Sequence, residues 1–296
     1  MKPSIRAGLL ALFCTLVPAS LSFAAGSGEV TLIHMGDLHG HLLPRPNLRS
    51  DGSRREEGGV ARMYSKIQSI RKQHKHTLLL NTGDTIQGSA EALYTQGQAQ
   101  VDVLNRFGID AFAPGNWEFV YGTARFLELF GPVQPKAPWN TLSANLLYDG
   151  EPYADKTGQR VLPPYLVKQV GGIKVGLLGL TTDRGPQVVG KGVTKGFRYL
   201  KNGDELDSEV ARQVQALREI EQVDLLVMLS EMGLANNIRI TEKIPGIDVV
   251  LSSDMHEITM KPVVTASGTV IVEEGQGGAR LGGLRLKVKI GKVVAS

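Results

Sequence analysis

Cysteine is almost absent from this chain: its 296 residues contain one, Cys14. Aromatic residues make up 6%, and neither charge sign dominates, with 33 Lys+Arg against 29 Asp+Glu. No apolar run reaches the ~20 residues needed to span a bilayer as a helix. These shortages exclude several classes. A disulfide scaffold or thiolate metal site needs more cysteine. A nucleic-acid-binding chain needs a recognisable motif beside its basic surplus, and the mild +4 here comes with none. The 42% hydrophobic and 21% charged content fits a globular protein with a sizeable core.

The amino terminus alters the charge reading. Lys2 and Arg6 precede the apolar run 7–17, and Ser22 and Ala24 supply small residues around Phe23. This is the layout of a secretory signal peptide over residues 1–24, cleaved after Ala24. Bulky Phe13 before Cys14 argues against a lipoprotein. Removing that segment takes away two cations and no acid, leaving 31 Lys+Arg against 29 Asp+Glu, a net +2. The only cysteine leaves with it. The expected product is an exported protein, periplasmic or secreted and not membrane-inserted, in which any metal is held by oxygen and nitrogen.

Apolar runs at 30–35, 77–81, 111–113, 141–144, 165–170, 174–180, 225–229, 249–251, 269–272 and 284–290 read as strands. Helical spacing of Val60, Met63, Ile67 and Ile70, and of Leu206, Val210, Val214 and Leu217, predicts two helices; 90–107 is a third candidate. Strand–helix alternation predicts a layered α/β fold with hairpins in its last third. The Arg-, Ser-, Gly- and Pro-rich stretch 45–57 reads as a solvated loop.

Polar side chains follow five of these strands at once: Asp37, His39 and His41 after the first, Asp84 after the second, Asn116 after the third, Glu231 after 225–229, and Asp254 and His256 after 249–251. One Asp after a strand is ordinary turn or cap chemistry. Five such sites, gathered where strand carboxyl ends meet, predict a metal centre. His34, inside an apolar run, reads as a core residue. His74 and His76 flank Lys75 at a helix end, where dipole and solvent suffice.

Ordered motifs run through the chain: D-L-H-G-H at 37–41, G-G-V-A-R at 58–62, G-D-T at 83–85, G-N-W-E-F-V-Y-G at 115–122, A-N at 144–145, L-S-E-M-G at 229–233, S-S-D-M-H at 252–256 and G-G-A-R-L-G at 277–282. In these the sequence resembles the calcineurin-like metallophosphoesterases, in particular the secreted 5′-nucleotidase group. G-S-A-E-A-L-Y-T-Q-G at 88–97 and Trp117 are closer to the SoxB thiosulfohydrolases. The resemblance implies a four-layer α/β/β/α sandwich around a dinuclear centre. It places Asp37, His39 and His256 on one metal, Asp84 between both and Asn116 on the second. A metal-activated hydroxide would attack phosphorus or sulfur in line. Asn145 is given no role.

Three departures stand out. Glu231 and Asp254 occupy positions where the family has histidines, so the second site is either all oxygen or lost. An all-oxygen set favours Mn, with Mg, Fe or Zn as alternatives. Four carboxylates against two divalent ions leave the centre near neutral, which weakens its pull on a phosphate dianion. Thirdly, Trp117 and Val120 replace the His and Asp of the family's G-N-H-E-F-D, removing the dyad that assists the leaving group. An indole donates a hydrogen bond but delivers no proton. A thiolate leaves without such help far more readily than an alkoxide.

The expectation is a single catalytic domain over 25–296 lacking the family's carboxyl-terminal substrate-binding domain. It would be a divalent-metal-dependent hydrolase acting on a small-molecule phosphoester or on a sulfonate carried on the sulfur of a partner protein. Asn116, Trp117 and His41 are the candidate substrate-side residues, His41 being as readily structural. The competing reading is a non-catalytic relative that keeps the fold to bind a sulfur-carrier or redox partner.

Overall fold

The computed structural model describes residues 26–46, 55–289 and 292–295. The expected signal peptide lies outside them.

Short apolar runs, most of them buried on both faces, build two sheets. The first runs, in spatial order, Lys292–Ala295, Gly282–Lys289, Gly28–Met35, Thr77–Asn81 and Ala111–Phe112. The second runs Val263–Val264, Val270–Val272, Val249–Ser252, Leu225–Ser230, Ile173–Leu180 and Tyr165–Val170. Gly28–Met35, Thr77–Asn81 and Ala111–Phe112 are mutually parallel, as are Ile173–Leu180, Leu225–Ser230 and Val249–Ser252. Antiparallel hairpins flank these parallel centres, two of them in the last third.

Alternate residues of each strand serve different cores. Val30, Leu32, Leu78 and Leu80 of the first sheet meet Val175, Leu177, Val227 and Leu251 of the second. Ile33, Leu79 and Phe112 point the other way, onto the helices Val60–Gln73, Gln98–Leu104 and Thr123–Phe130. On the far side Leu178, Leu226 and Val250 pack under Asp204–Gln215 and Leu234–Lys243. Three apolar interfaces make four layers, helix–sheet–sheet–helix. Among the described residues no helix is long and apolar enough to cross a membrane.

Three expected elements differ. Residues 141–144 form one isolated bridge, Thr141 to Phe112, and the strand lies later, at Leu146–Asp149. Here the chain crosses between sheets: Leu142 N–H goes to Phe112, Ser143 to Pro163 and Ala144 to Gly179, so no two neighbours share a ladder. Asn145 completes the crossing, its amide pairing with both the N–H and the carbonyl of Thr181. The helix expected over 90–107 is two, Ala90–Thr95 and Gln98–Leu104, because Gln96 and Gly97 take left-handed backbone at φ 48° and 81°. A Cβ at Gly97 would stand 2.8 Å from Ile86, so close packing fixes the break. Within 45–57, Arg45–Pro46 pairs with Glu56–Glu57, and 47–54 lie outside the described residues.

Candidate metal centre

Each parallel strand delivers its polar residues at its carboxyl end, and the two sheets bring those ends to one edge. The connecting loops turn sharply. Nine non-glycine residues with positive φ occur among the described residues, and five of them are Asp37, His39, Asp84, Asp254 and His256. Left-handed backbone costs about 1 kcal/mol or more per residue outside glycine. Its concentration here means the surrounding contacts impose it. Those contacts are visible: Asp37 and His39 donate their backbone N–H to the carbonyls of Gly83 and Asp84 at 3.0 and 2.8 Å. The N–H of Asp254, from the other sheet, lies 3.3 Å from Asp37 Oδ2.

Two groups of ligand-type atoms result. Asp37, His39 and His256 each offer one atom within 4.8 Å of the others, and so do Asp37, Asp84 and Glu231. In the first, the two Nε2 atoms stand 2.9 Å apart and each is 3.6 Å from Asp37 Oδ1. The groups adjoin: Asp37 belongs to both, and Asp84 Oδ2 is 3.9 Å from His39 Nε2. Asp37, Asp84 and Glu231 are at most 1% exposed, whereas the two histidines are partly open to solvent.

These residues fit divalent cations. Asp37 Oδ1 and Glu231 Oε2 are buried yet accept no hydrogen bond among the described residues. Burial, followed by the mutual repulsion of neighbouring carboxylates, pushes Asp37 and Glu231 well above ordinary carboxylate values. Burial does the same to Asp84, with Glu118 the next cause. Buried carboxylates facing one another are costly unless a cation lies between them, which reverses the local preference.

A supporting frame holds the ligands. Glu118, buried beside Asn116, accepts the backbone N–H groups of Asp84, Thr85 and Gly115 at 2.9, 2.7 and 2.7 Å. It was legible only as the fourth letter of G-N-W-E. Gly115 must lack a side chain, since a Cβ there would fall 2.2 Å from Asp84 Oδ1. Across the sheets, Ser253 Oγ lies 2.5 Å from the Thr82 carbonyl and 2.8 Å from Glu231 Oε1.

Sequence comparison matches residues 30–257 to the calcineurin-like phosphoesterases. The chain belongs to that family. It is 34% identical over 236 residues to a snake venom 5′-nucleotidase of Gloydius brevicauda, covering 79% of this chain and 38% of the relative. Human 5′-nucleotidase is 32% identical over 245 residues, 82% of this chain and 40% of its own. The chain therefore spans about two fifths of the length of these curated relatives. Among solved structures, the sulfate thiohydrolase SoxB of Thermus thermophilus superposes with a TM-score of 0.77 at 23% identity, covering 90% of this chain and 55% of that one. That likeness speaks for the fold. A 5′-nucleotidase precursor from the same organism gives 0.76 at 25% identity, covering 90% and 53%.

In this member of the family, Asn116, Trp117 and Asp254 lie beside the two groups. In the amide orientation that satisfies its neighbours, Asn116 donates to Asp254 Oδ1 at 3.2 Å and accepts from the Trp117 indole at 3.0 Å. Trp117 also gives its backbone N–H to Asp84 Oδ1 at 2.9 Å. Asp254 is in neither group; its Oδ2 is ion-paired with Arg184. Burial raises the Asp254 carboxyl and Arg184 opposes the rise. His41 turns to Arg45, its Nε2 2.5 Å from Nη1, and burial together with that cation lowers its pKa. His34 is a core residue with two polar partners, Thr82 Oγ1 at 2.8 Å and Glu274 at 2.6 Å. Arg184 and Glu274 gave no sequence signal, because neither stands in a motif and both pairings cross the sequence by far.

Proposed function

We propose that this chain carries the metal-binding and catalytic part of an exported, divalent-metal-dependent phosphoester hydrolase of the 5′-nucleotidase group. The observation that carries the reading is the pair of adjoining ligand groups sharing Asp37, with buried carboxylate oxygens left without donors. Asp37, His39 and His256 would hold one cation. Asp84 and Glu231, with Asp37, would hold the second, so the residue common to both groups is Asp37 where the resemblance implied Asp84, and Asn116 lies alongside. Export is supported by Lys2, Arg6, the apolar run and the Ser22–Ala24 segment.

Bound divalent cations supply Lewis acidity and lower the pKa of water near the ester. The chain's own residues do the rest. The left-handed loops bring Asp37, His39, Asp84 and His256 to one sheet edge, and the contacts that impose that backbone hold them there. Glu118 fixes the loop bearing Asp84 to the loop bearing Asn116. Trp117 orients the Asn116 amide and has no proton to give a leaving group. Manganese is the favoured ion, given the three-carboxylate set of the second group.

The missing proton donor supports a second reading, cleavage of a sulfonate from sulfur on a carrier protein, where the leaving thiolate needs no acid. One paired experiment tests both. The Mn-loaded protein is assayed on an aryl phosphate and on a protein-bound thiosulfonate. Hydrolysis of the first that Asp84→Ala abolishes supports the phosphoesterase reading; hydrolysis of the second alone supports the sulfur reading. Activity on neither leaves the non-catalytic binding protein.

A further inference from the structure

Among the described residues, Arg184 is the guanidinium that ion-pairs with a sequence-predicted site carboxylate, Asp254. It follows the strand Ile173–Leu180, at the same sheet edge as the loops bearing Glu231 and Asp254. Its Nη2 contacts Asp254 Oδ2 and lies 3.6 Å from Met255 Sδ. The carboxylate end of the pair is 5% exposed and the arginine side chain 46%. The pair is thus anchored in the protein and open at its cationic end. Arg184 Nε and Nη1 meet no acceptor among the described residues. Asp254 in turn touches the site, through its N–H near Asp37 and its Oδ1 near the Asn116 amide.

We propose that Arg184 is the anion-binding residue of this site, held at its rim by Asp254 to receive the oxygens of a substrate's terminal phosphoryl or sulfonyl group. The inference rests on the hydrolase reading above for its substrate class. Guanidinium is suited to the task, because its planar fork matches two oxygens of such a group. It also answers the charge problem raised by the sequence. Counting Asp254 as a ligand makes the centre near neutral and a poor receiver of a dianion. With Asp254 compensated by Arg184, three carboxylates face the two cations, and the centre retains positive charge. Asp254 and Arg184 then form one device: a carboxylate outside both ligand groups that tethers a cation at the rim.

The test is anion binding, read independently of turnover. Inorganic phosphate, and sulfate in a parallel arm, are titrated calorimetrically into the Mn-loaded protein and into Arg184→Ala, Arg184→Gln and Arg184→Lys. Metal content and circular dichroism are measured on each. Removing the guanidinium weakens binding by about tenfold or more, and lysine restores only part of it. Metal content stays at the wild-type level, since Arg184 is no ligand. Preference for phosphate or for sulfate tells which oxyanion the rim favours. Equal affinity in wild type and Arg184→Ala overturns the proposal, as does no anion binding by the loaded wild type, or a loss of metal in Arg184→Ala. Arginine-dependent anion binding without hydrolysis of any ester would sink the functional reading and leave this inference standing.

Discussion

Glu118 accepts the backbone N–H of Asp84, and the same carboxylate oxygen accepts that of Gly115. One buried side chain thereby joins the loops that follow two parallel strands of the first sheet. Its other oxygen takes the N–H of Thr85.

Glu118→Ala strands three buried donors, each costing about 1–3 kcal/mol. The expected result is a loss of at least about 3 kcal/mol in denaturant unfolding, with weakened metal binding. Glu118→Gln keeps an acceptor and should fall between. A wild-type unfolding midpoint in Glu118→Ala would show that the frame does not depend on this residue.

Trp117 and Val120 stand three residues apart around the short 3₁₀ segment Trp117–Phe119, a spacing that stacks their side chains on one face. The account predicts a strong dependence on leaving group, with aryl phosphates turned over far faster than nucleoside 5′-monophosphates. Trp117→His combined with Val120→Asp restores a proton donor and should raise turnover of the alkyl ester about tenfold or more, leaving the aryl ester less affected. Equal rates on the two esters in the wild type would contradict it.

Glu273, close enough to Asp37 to help raise its carboxyl, supplies a pH dependence of stability. It accepts from Ser252 Oγ at 2.6 Å and from the Glu257 N–H at 2.9 Å, and burial raises its carboxyl from 4.5 to about 7. The folded chain then holds a proton that the unfolded chain releases, so this contribution is full below the unfolded value and lost as pH rises through about 7. Between roughly pH 5 and 8 the loss amounts to about 2–3 kcal/mol. Glu273→Gln removes it. Unfolding free energies of wild type and variant, measured across that interval, should change in the variant's favour with rising pH; the opposite trend would refute the assignment.

Local pattern carried most of the scaffold. Thr77–Asn81 and Tyr165–Val170 lie where the apolar runs placed them, and Val60–Gln73 where helical spacing did. The failures have a common cause. Residues 141–144 are apolar enough for a strand, yet their N–H groups go to three different neighbours because the chain is changing sheets. Periodicity is blind to that. In the site, Asp37, His39, Asp84, Glu231 and His256 were legible because each follows a strand within four residues, and the parallel topology gathers strand ends. Arg184 was not, since its partner Asp254 lies 70 residues away in a separate loop. The polar character of Asp254 was legible, whereas its pairing with an arginine was not.

Asp37 is proposed to serve two adjoining cation sites. Metal content of the purified protein, measured by plasma mass spectrometry after manganese loading and desalting, tests it most directly. About two ions per chain are expected in the wild type, about one in His256→Ala, and essentially none in Asp37→Ala with its fold intact. Two ions retained by a folded Asp37→Ala, or none held by the wild type, would contradict it.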